Sequence, residues 1–407
     1  MFTTSDNRTY RLKPISEWDW HRFPIEVVKT VSDAELAVAR LDESAGYQRR
    51  KTAFRRSLII TEAICSARIA GNNVTHRAVL SEGFRRFLVE TESGSTATEA
   101  FAAPDLADAG TSEVISLVRA LHRTHKTVSA EERIDVEFFL DLQEQLARNA
   151  GAPIGLRTRP LAPMPFADGY FYPPLPEEVA PLLEEVIEFC NTEACCSTMV
   201  AAIAHFFFEA IVPFAWGNDR MGRLLSHAVY SRQHMWKNLV FPIGALPAIA
   251  TKQHALSLLP YMTNRTVQLA DVPDICNNWI TYCGQSMRVS AHFANIYAQR
   301  IREMNDAWLA RLGELRKDSA AHLILDELPT TPVFNVPYLV ELTGKSFSSV
   351  NEAVTHLVEA GVVNKTSRGR RNRVFKASDV LDFYSWLEGQ ILPRNVNARE
   401  AYLSITQ

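Results

Sequence analysis

The residues best suited to chemistry lie in one segment, residues 211–223, which reads IVPFAWGNDRMGR. Two helical patterns meet there, and Gly217 supplies a turn just before the second helix starts near Asn218. A glycine turn that opens a helix brings free backbone N–H groups together with the positive end of the helix dipole. This combination is typical of an anion site, and phosphate is its natural ligand.

The polar side chains of this segment allow two interpretations. Asn218, Arg220 and Arg223 could clamp a small anion and form a nucleotide or anion site together with Gly217 and Gly222. They could equally tie helix ends and carboxylates together inside the fold, because buried arginine pairs serve both purposes. The sequence leaves both interpretations open.

The elements that must position this segment are predominantly helical. Apolar residues recur every three or four positions over residues 32–90, 112–149 and 177–312, which predicts a mainly α fold. Residues 151–176 are rich in Pro, Gly and aromatic residues and predict an extended flap or β-hairpin. The longest apolar stretch, residues 199–216, contains His205, Glu209 and Pro213, so it is interpreted as a core helix rather than a membrane span.

Composition narrows the class of protein. The chain has 407 residues, of which 47% are hydrophobic, enough for two or three packed domains. A net charge of −3 implies no whole-molecule attraction to nucleic acid or membrane. The N-terminal residues contain no apolar run typical of a signal peptide, so we expect a cytoplasmic protein. None of the six cysteines has C-x-x-C spacing, so we expect them to be buried thiols in a reducing compartment.

After Lys317 the sequence pattern predicts a helix, a short helix ending at Gly344, a longer helix to Gly361, two short β-rich runs around a basic turn, and a last helix. This order is typical of a winged helix-turn-helix. The longer helix would present Ser348, Ser349 and Asn351 to DNA. The wing is basic and has no acidic residue over 364–377, and its predicted phosphate contacts are Lys365, Arg368, Arg370, Arg371 and Arg373. The alternatives to DNA binding are that the basic wing is only a solvated charged face or that it contacts another protein.

The segment VPFAWGNDRMGR resembles the Fic (Fido) family signature H-P-F-x-D/E-G-N-G-R-x-x-R, and the resemblance extends over most of residues 30–390. It implies a Fic-type helical bundle with a small β-hairpin flap, followed by the winged helix-turn-helix domain. It also implies an ancestral activity, the Mg²⁺-assisted transfer of AMP from ATP to a Ser, Thr or Tyr hydroxyl of a target protein. The matching positions are Pro213, Phe214, Gly217, Asn218, Arg220 and Arg223.

Three positions depart from that signature. Val212 stands where the family has its general base, and losing such a base costs about 10²–10⁴ in rate. Trp216 replaces the carboxylate that would hold Mg²⁺. Asp219 replaces the second glycine, and a carboxylate about 4 Å from a phosphate oxygen repels it by roughly 4 kcal/mol. His205 and His227 are expected to be packing or surface residues rather than substitutes for the base.

Two further family features have counterparts here. Ser66, Ala70 and Gly71 align with the family's inhibitory segment, in which the glutamate position is Ala70. The flap sequence between Thr158 and Phe171 corresponds to the segment with which the family aligns a target peptide by strand addition. A surface loop with aromatic anchors is the alternative interpretation of this segment.

These observations predict four regions: an N-terminal helical region with a linker, a Fic core, a winged-helix domain and a tail, at residues 1–111, 112–318, 319–390 and 391–407. The predicted function is a Fic-related protein that is inactive or divergent as an AMP transferase and regulates through DNA. The alternative is an active nucleotidyl or phosphoryl transferase in which Asp219 supplies a shifted metal ligand or base. ATP and Mg²⁺ are implied only by the resemblance, no resident metal is predicted, and the apolar helices permit a homodimer.

Overall fold

The computed structural model describes residues 2–4, 9–17, 23–46, 51–82, 108–166, 169–250, 275–366 and 373–390. Most of these residues are helical, which confirms the predicted mainly α class. The labelled helices are α1 Ile25–Gly46, α2 Lys51–Ile69, α3 Ala109–Glu131, α4 Val136–Ala150, α5 Pro176–Thr192, α6 Ser197–Ile211, α7 Asn218–Arg232, α8 Ala245–Ile249, α9 Ile275–Leu312, α10 Ala320–Glu327, α11 Val336–Thr343, α12 Phe347–Glu359 and α13 Ser378–Gln390.

Two small sheets accompany the helices. Four strands form the first sheet in the order β1-β2-β4-β3, with β1 Phe2–Thr4, β2 Thr9–Leu12, β3 Met164–Phe166 and β4 Gly169–Tyr172. The hairpin β3-β4 is the predicted flap, with Met164 opposite Phe171, and β2 pairs in parallel with the other edge of β4. The second sheet has the order β5-β7-β6, with β5 Val333–Asn335, β6 Asn364–Lys365 and β7 Val374–Lys376.

Helix α6 lies at the centre of the molecule, and every one of its residues is buried. It packs against α5, α7 and α9, while α3 packs against α2, α4 and α7. A helix that is apolar on all sides must be covered on all sides, because each exposed face would leave apolar surface in water. None of the helices in the described part of the chain has the length and apolar character that a membrane crossing requires.

The helices α10 to α13 and the strands β6 and β7 follow in the order that the sequence predicts, whereas β5, between α10 and α11, was not predicted. Asn335 and Ser346 cap the starts of α11 and α12 by accepting hydrogen bonds from Tyr338 N–H and Ser349 N–H, and Gly344 ends α11 in the left-handed conformation. The winged-helix interpretation of these elements and the predicted domain boundaries stay predictions. Residues 91–107 of the predicted linker and the tail 391–407 lie outside the described residues.

Helix α2 connects the C-terminal elements to the central helices. Tyr384 of α13 donates its hydroxyl to Ser57 Oγ at 3.0 Å, and His76 Nδ1 lies 3.0 Å from Glu388 Oε1 at the end of α13. His76 Nε2 in turn lies 3.0 Å from Thr61 Oγ1 of α2. These contacts hold α13 against α2 by buried hydrogen bonds.

Candidate functional site

The motif begins with a strained residue at the end of α6. Val212 has φ 47° and ψ 62°, and its N–H donates to Phe208 O, which closes the helix. The left-handed conformation costs a residue with a Cβ about 1–2 kcal/mol, and a β-branched residue is rare there. The position at which the family has its base therefore holds a side chain without a proton acceptor, in a backbone conformation that favours glycine.

The loop between Phe214 and Asn218 is closed by Asn218 itself. Asn218 Oδ1 accepts from Phe214 N–H at 2.9 Å, and Asn218 Nδ2 donates to Phe214 O at 2.9 Å. Gly217 has φ 85°, which places it in the left-handed conformation just before α7. From outside the loop, the buried amide of Gln143 donates to Trp216 O at 3.3 Å. Asn218 therefore has the loop-closing role that the sequence left as one of two interpretations.

Arg220 is engaged on several sides. Its guanidinium lies 2.9 Å from Asp219 Oδ1, donates to Glu113 of α3, and stacks over the ring of Trp216 with 5.0 Å between Cζ and the ring centroid. Asn72, just after α2, donates to the same Glu113 carboxylate. A charged guanidinium over an indole is a favourable cation–π contact, so Trp216, which cannot bind magnesium, instead supports an arginine.

Arg223 is buried and joins α7 to the end of α2. Its Nε donates to Ser66 Oγ at 2.9 Å, and its terminal nitrogen donates to Asp219 Oδ2 at 3.1 Å. The carboxylate of Asp219 thus accepts hydrogen bonds from both motif arginines. Burial opposes ionisation of Asp219, but Arg223 and Arg220 outweigh it and hold the pKa of this carboxyl below its usual value.

The inhibitory-segment residues lie beside this cluster in different ways. Ser66 contacts Arg223 directly, through both its hydroxyl and its carbonyl oxygen. Ala70 and Gly71 end α2, where Gly71 has φ 92° and its N–H donates to Arg68 O at 2.9 Å. In the family motif, a glutamate at the position of Ala70 would pair with Arg223. Here Arg223 pairs instead with Asp219, which lies on the same helix, α7.

The nucleotide and Mg²⁺ that the family resemblance implies do not fit the residues present. An incoming phosphate would meet a carboxylate in the first turn of α7, and the two arginines that would hold the phosphate are already paired with Asp219, Glu113 and Ser66. Within the described residues, no group of three or more His, Cys, Asp and Glu side chains is placed to hold a metal ion. Displacing Asp219 is therefore a precondition for polyphosphate binding here.

Behind the motif lies a buried acid–base pair. His205 Nε2 is 3.5 Å from Glu209 Oε1, and His205 Nδ1 lies 3.3 Å from Ser226 Oγ of α7. Burial lowers the pKa of His205 to about 3, and burial together with the nearby charge of Asp219 raises the pKa of Glu209 to about 8. Both groups are consequently uncharged at neutral pH. Gly222 makes room for them, since a Cβ there would lie 2.6 Å from His205 Nε2.

A second buried histidine follows one turn after Arg223 on α7. His227 Nε2 lies 3.2 Å from Glu62 Oε1 of α2, and Glu62 Oε2 accepts from Gly244 N–H at 2.7 Å. His205 and His227 are thus both packing residues, as the sequence predicts, and neither is a surface residue.

The flap is fastened to the motif by Arg157. Its side chain is buried and donates to Val212 O at 2.8 Å and to Pro174 O at 2.6 Å, while its N–H donates to Pro213 O at 2.9 Å. Carbonyl groups at the C-terminal end of α6 carry partial negative charge, which suits a guanidinium. Of the predicted flap residues, Thr158 is exposed, whereas Phe171 is fully buried in β4. The first sheet has two edge strands, β1 and β3, and β3 is the one that belongs to the flap, so strand addition to the flap would use β3.

The predicted DNA-contacting residues divide into two groups. Ser348 and Ser349 are exposed on the first turn of α12, and Lys365 is exposed at the end of β6. Asn351, by contrast, accepts a hydrogen bond from Arg373, whose guanidinium also lies over Phe375, 5.7 Å from the ring centroid. Arg368, Arg370 and Arg371 lie outside the described residues.

Several residues that build the site were not predicted as site residues. Glu113, Gln143, Arg157 and Glu209 each contact the motif or its neighbours, and two of them stand in stretches that the sequence singles out, Arg157 in the flap and Glu209 in the apolar stretch 199–216. Glu113 is 107 positions from Arg220, and nothing in its local sequence marks it as a partner. Glu209 had a usable signal, because a glutamate in the middle of an all-apolar helix must be buried and therefore paired or neutral.

Comparison with known proteins places this site in a family context. The family model described as Fic/DOC family matches residues 133–230, which include the whole motif. Among solved structures, a Fic family protein from Desulfovibrio desulfuricans is similar at 15% identity, with a TM-score of 0.48 and coverage of 88% of this chain and 97% of that chain. Fic-1 from C. elegans is similar at 19% identity, with a TM-score of 0.45 and coverage of 68% and 74%. No curated protein matches the chain in sequence.

Proposed function

We propose that this protein, whose residues 133–230 match the Fic/DOC family model, is a Fic-type regulatory protein whose ancestral AMP-transfer site is closed by its own side chains. In this proposal the Fic core has lost ordinary AMP transfer, and the C-terminal elements, interpreted as a winged helix, bind DNA.

The observation that carries the first half is the position of the Asp219 carboxylate. It accepts hydrogen bonds from Arg220 at 2.9 Å and from Arg223 at 3.1 Å, and both arginines are largely shielded from solvent. Charge-assisted hydrogen bonds of this kind each contribute about 1.5–3 kcal/mol. An ATP phosphate would have to replace them and also overcome the repulsion of the carboxylate it displaces.

The remaining departures from the family motif support the same proposal. Val212 cannot accept a proton from a target hydroxyl, and Trp216 is stacked under Arg220 rather than facing a metal. A single such change could be compensated by a neighbouring group. The three together remove base, metal ligand and open phosphate loop at once.

The proposal is tested by calorimetric titration of the full chain with ATP, with and without Mg²⁺. We expect no binding to the parent and measurable binding to Asp219→Gly, because the substitution releases Arg220 and Arg223 and removes the repelling charge. Asp318→Gly is the matched control, since it removes one exposed carboxylate from a loop outside the motif. Magnesium-dependent binding of ATP to the parent in the micromolar range would contradict the closed-site proposal.

Transfer activity is tested separately with labelled ATP and Mg²⁺. We expect no label on the parent or on added proteins, whereas the triple variant Val212→His, Trp216→Asp, Asp219→Gly restores the base, the carboxylate and the glycine of the family motif. Self-labelling of the parent would establish the alternative, an active transferase with a non-standard site.

DNA binding by the C-terminal elements is supported by the exposure of Ser348, Ser349 and Lys365 and by the fastening of Arg373 to Asn351. The contact between Arg373 and Asn351 joins the wing strand β7 to α12, so one surface presents helix and wing together. Short polar side chains on an exposed first helical turn suit phosphate and base-edge contacts.

This half of the proposal is tested with Arg370→Ala, Arg371→Ala in salt titrations of DNA binding. We expect weaker binding and a log–log salt slope that is smaller by about 1.8, because two phosphate contacts are lost. The control variant Arg300→Ala, Arg302→Ala removes two exposed arginines from α9 instead. Equal salt slopes for the wing variant and the parent would contradict the assignment.

A further inference from the structure

We propose that a basic pocket between α2, α3 and the loop after α7 binds a phosphate-type oxyanion. The pocket is separate from the motif and shares none of the side chains described above as contacting Asp219. Its basic lining residues are Arg55, Arg56 and Lys237, with His122 beside them.

The pocket is a formed concavity rather than a flat charged face. Its volume is about 190 Å³, and Ile59 supplies its apolar wall while Thr52 and Asn238 add polar groups to the rim. Drug-sized ligands occupy pockets of roughly 300–1,000 Å³. The dimensions therefore suit inorganic phosphate or the phosphate end of a larger ligand.

Two carboxylates lie near the pocket without lining it, and both already have partners. Asp42 of α1 accepts hydrogen bonds from the backbone N–H groups of Lys237, Asn238 and Leu239, at 2.8–3.3 Å, which fixes the loop that forms one side of the pocket. Glu327 pairs with Arg56 at 3.0 Å, where the Arg56 side chain is 44% exposed. The described lining residues contain no carboxylate.

Arg55 is the residue that points to a ligand. Its side chain is half-buried in the pocket wall, where burial lowers its pKa and the charge of Asp42 only partly opposes that shift, and its shielded Nε has no hydrogen-bond partner in the described part of the chain. A buried guanidinium N–H without a partner costs free energy. A planar guanidinium offers several donors in fixed geometry, and a tetrahedral oxyanion matches them.

The electrostatics of His122 support the same conclusion. Burial lowers the pKa of His122, and the positive charges of Arg55, Lys126 and Arg56 lower it further. Several cations that repel an added proton produce a positive potential, and an anion is the ligand that relieves it.

Helix α2 links this pocket to the motif. Arg55 and Ser66 lie on the same helix, 11 positions and hence about 16 Å apart along its axis. An anion at Arg55 would therefore bind to the element that also supplies the Ser66 hydroxyl to Arg223.

The test is calorimetric titration of the full chain with inorganic phosphate, at constant ionic strength maintained with chloride. We expect saturable binding to the parent, a loss of at least about tenfold with Arg55→Gln, and a several-fold loss with Lys237→Gln, as charge-assisted hydrogen bonds predict. Lys237 is exposed, so its variant does not depend on how the core tolerates a substitution. Arg300→Gln, which removes an exposed arginine of α9, is the matched control and should bind like the parent.

A second arm uses AMP in place of phosphate to identify the source of the anion. Tighter binding of AMP that is weakened by Arg55→Gln indicates a nucleotide, and equal affinities indicate the phosphate group alone. Unchanged phosphate binding in both Arg55→Gln and Lys237→Gln, or no saturation of the parent by about 10 mM phosphate, overturns the proposal. Because the motif residues are untouched in these variants, the outcome is independent of whether the Asp219 site is closed.

Discussion

The raised pKa of Glu209 predicts an unusual dependence of stability on pH. Glu209 lies in the all-buried helix α6, is 1% exposed, and has its pKa raised to about 8 by burial and by Asp219. In the unfolded chain a glutamate titrates near 4.3. Between these two values the folded protein holds a proton that the unfolded chain has released, so the free energy of unfolding falls as the pH rises.

The size of the effect follows from this difference in pKa. Well below its folded pKa, Glu209 contributes a slope of about 1.4 kcal/mol per pH unit, so this one group lowers the free energy of unfolding by roughly 1.5–2 kcal/mol from pH 6.5 to pH 8. Glutamine resembles the protonated acid in shape and has no proton to release. We therefore expect Glu209→Gln to remove this slope and to be more stable than the parent by roughly 3–4 kcal/mol at pH 7.

The buried histidines act in a different pH range. Burial lowers the pKa values of His205 and His125 to about 3, so they raise stability as the pH increases through about 6.5, where the unfolded histidines lose their protons. Comparing Glu209→Gln with the parent from pH 6.5 to 8 cancels the contribution of the histidines, which both proteins share, and isolates Glu209. The assay is urea unfolding at several pH values in this window, with Glu184→Gln on the exposed face of α5 as the control. Parallel pH slopes for Glu209→Gln and the parent would refute the reasoning.

Three substitutions in the motif test its backbone geometry by urea unfolding. Gly222→Ala should lower the free energy of unfolding by about 1–3 kcal/mol because its Cβ would overlap buried side chains. The control Gly389→Ala adds a Cβ in open space at an ordinary φ and should not lower it. Equal losses of stability in the two variants would refute the packing argument. Asn218→Ala should cost about 1–3 kcal/mol because Phe214 N–H and C=O both lose their partner, and an unchanged midpoint would show that water replaces it. Val212→Gly should stabilise the protein by about 1 kcal/mol because glycine adopts φ 47° without strain, and a lower midpoint would contradict the strain.

The helical content was predictable because it is encoded locally. Apolar spacing identified α6 and α7, and Gly217 and Gly344 marked turns that the structure places in the left-handed conformation. The flap was predictable for the same reason, since Pro, Gly and aromatic residues exclude a helix. Phe171 shows the limit of this reasoning: alternation predicts a strand but does not say which face is covered, and the structure buries this residue completely.

The candidate site was predictable only in part. The residue types at Val212, Trp216 and Asp219 were visible in the sequence, as was the loss of chemistry that they imply. The contacts of Arg220 and Arg223 were not, because their partners Glu113 and Ser66 lie 107 and 157 positions away. No local pattern encodes a pair at such a separation.

By itself, the sequence determined that the chain is mainly helical, which motif it carries and which reactive groups that motif lacks, because each of these depends on residues within a few turns of one another. The tertiary structure alone decided that Asp219 bridges two arginines, that Arg157 fastens the flap to Val212, and that Arg55 faces a pocket. These are consequences of packing. Burial removes water as a competing partner, so the charge state and contacts of each polar group depend on the distant residues that the fold brings beside it.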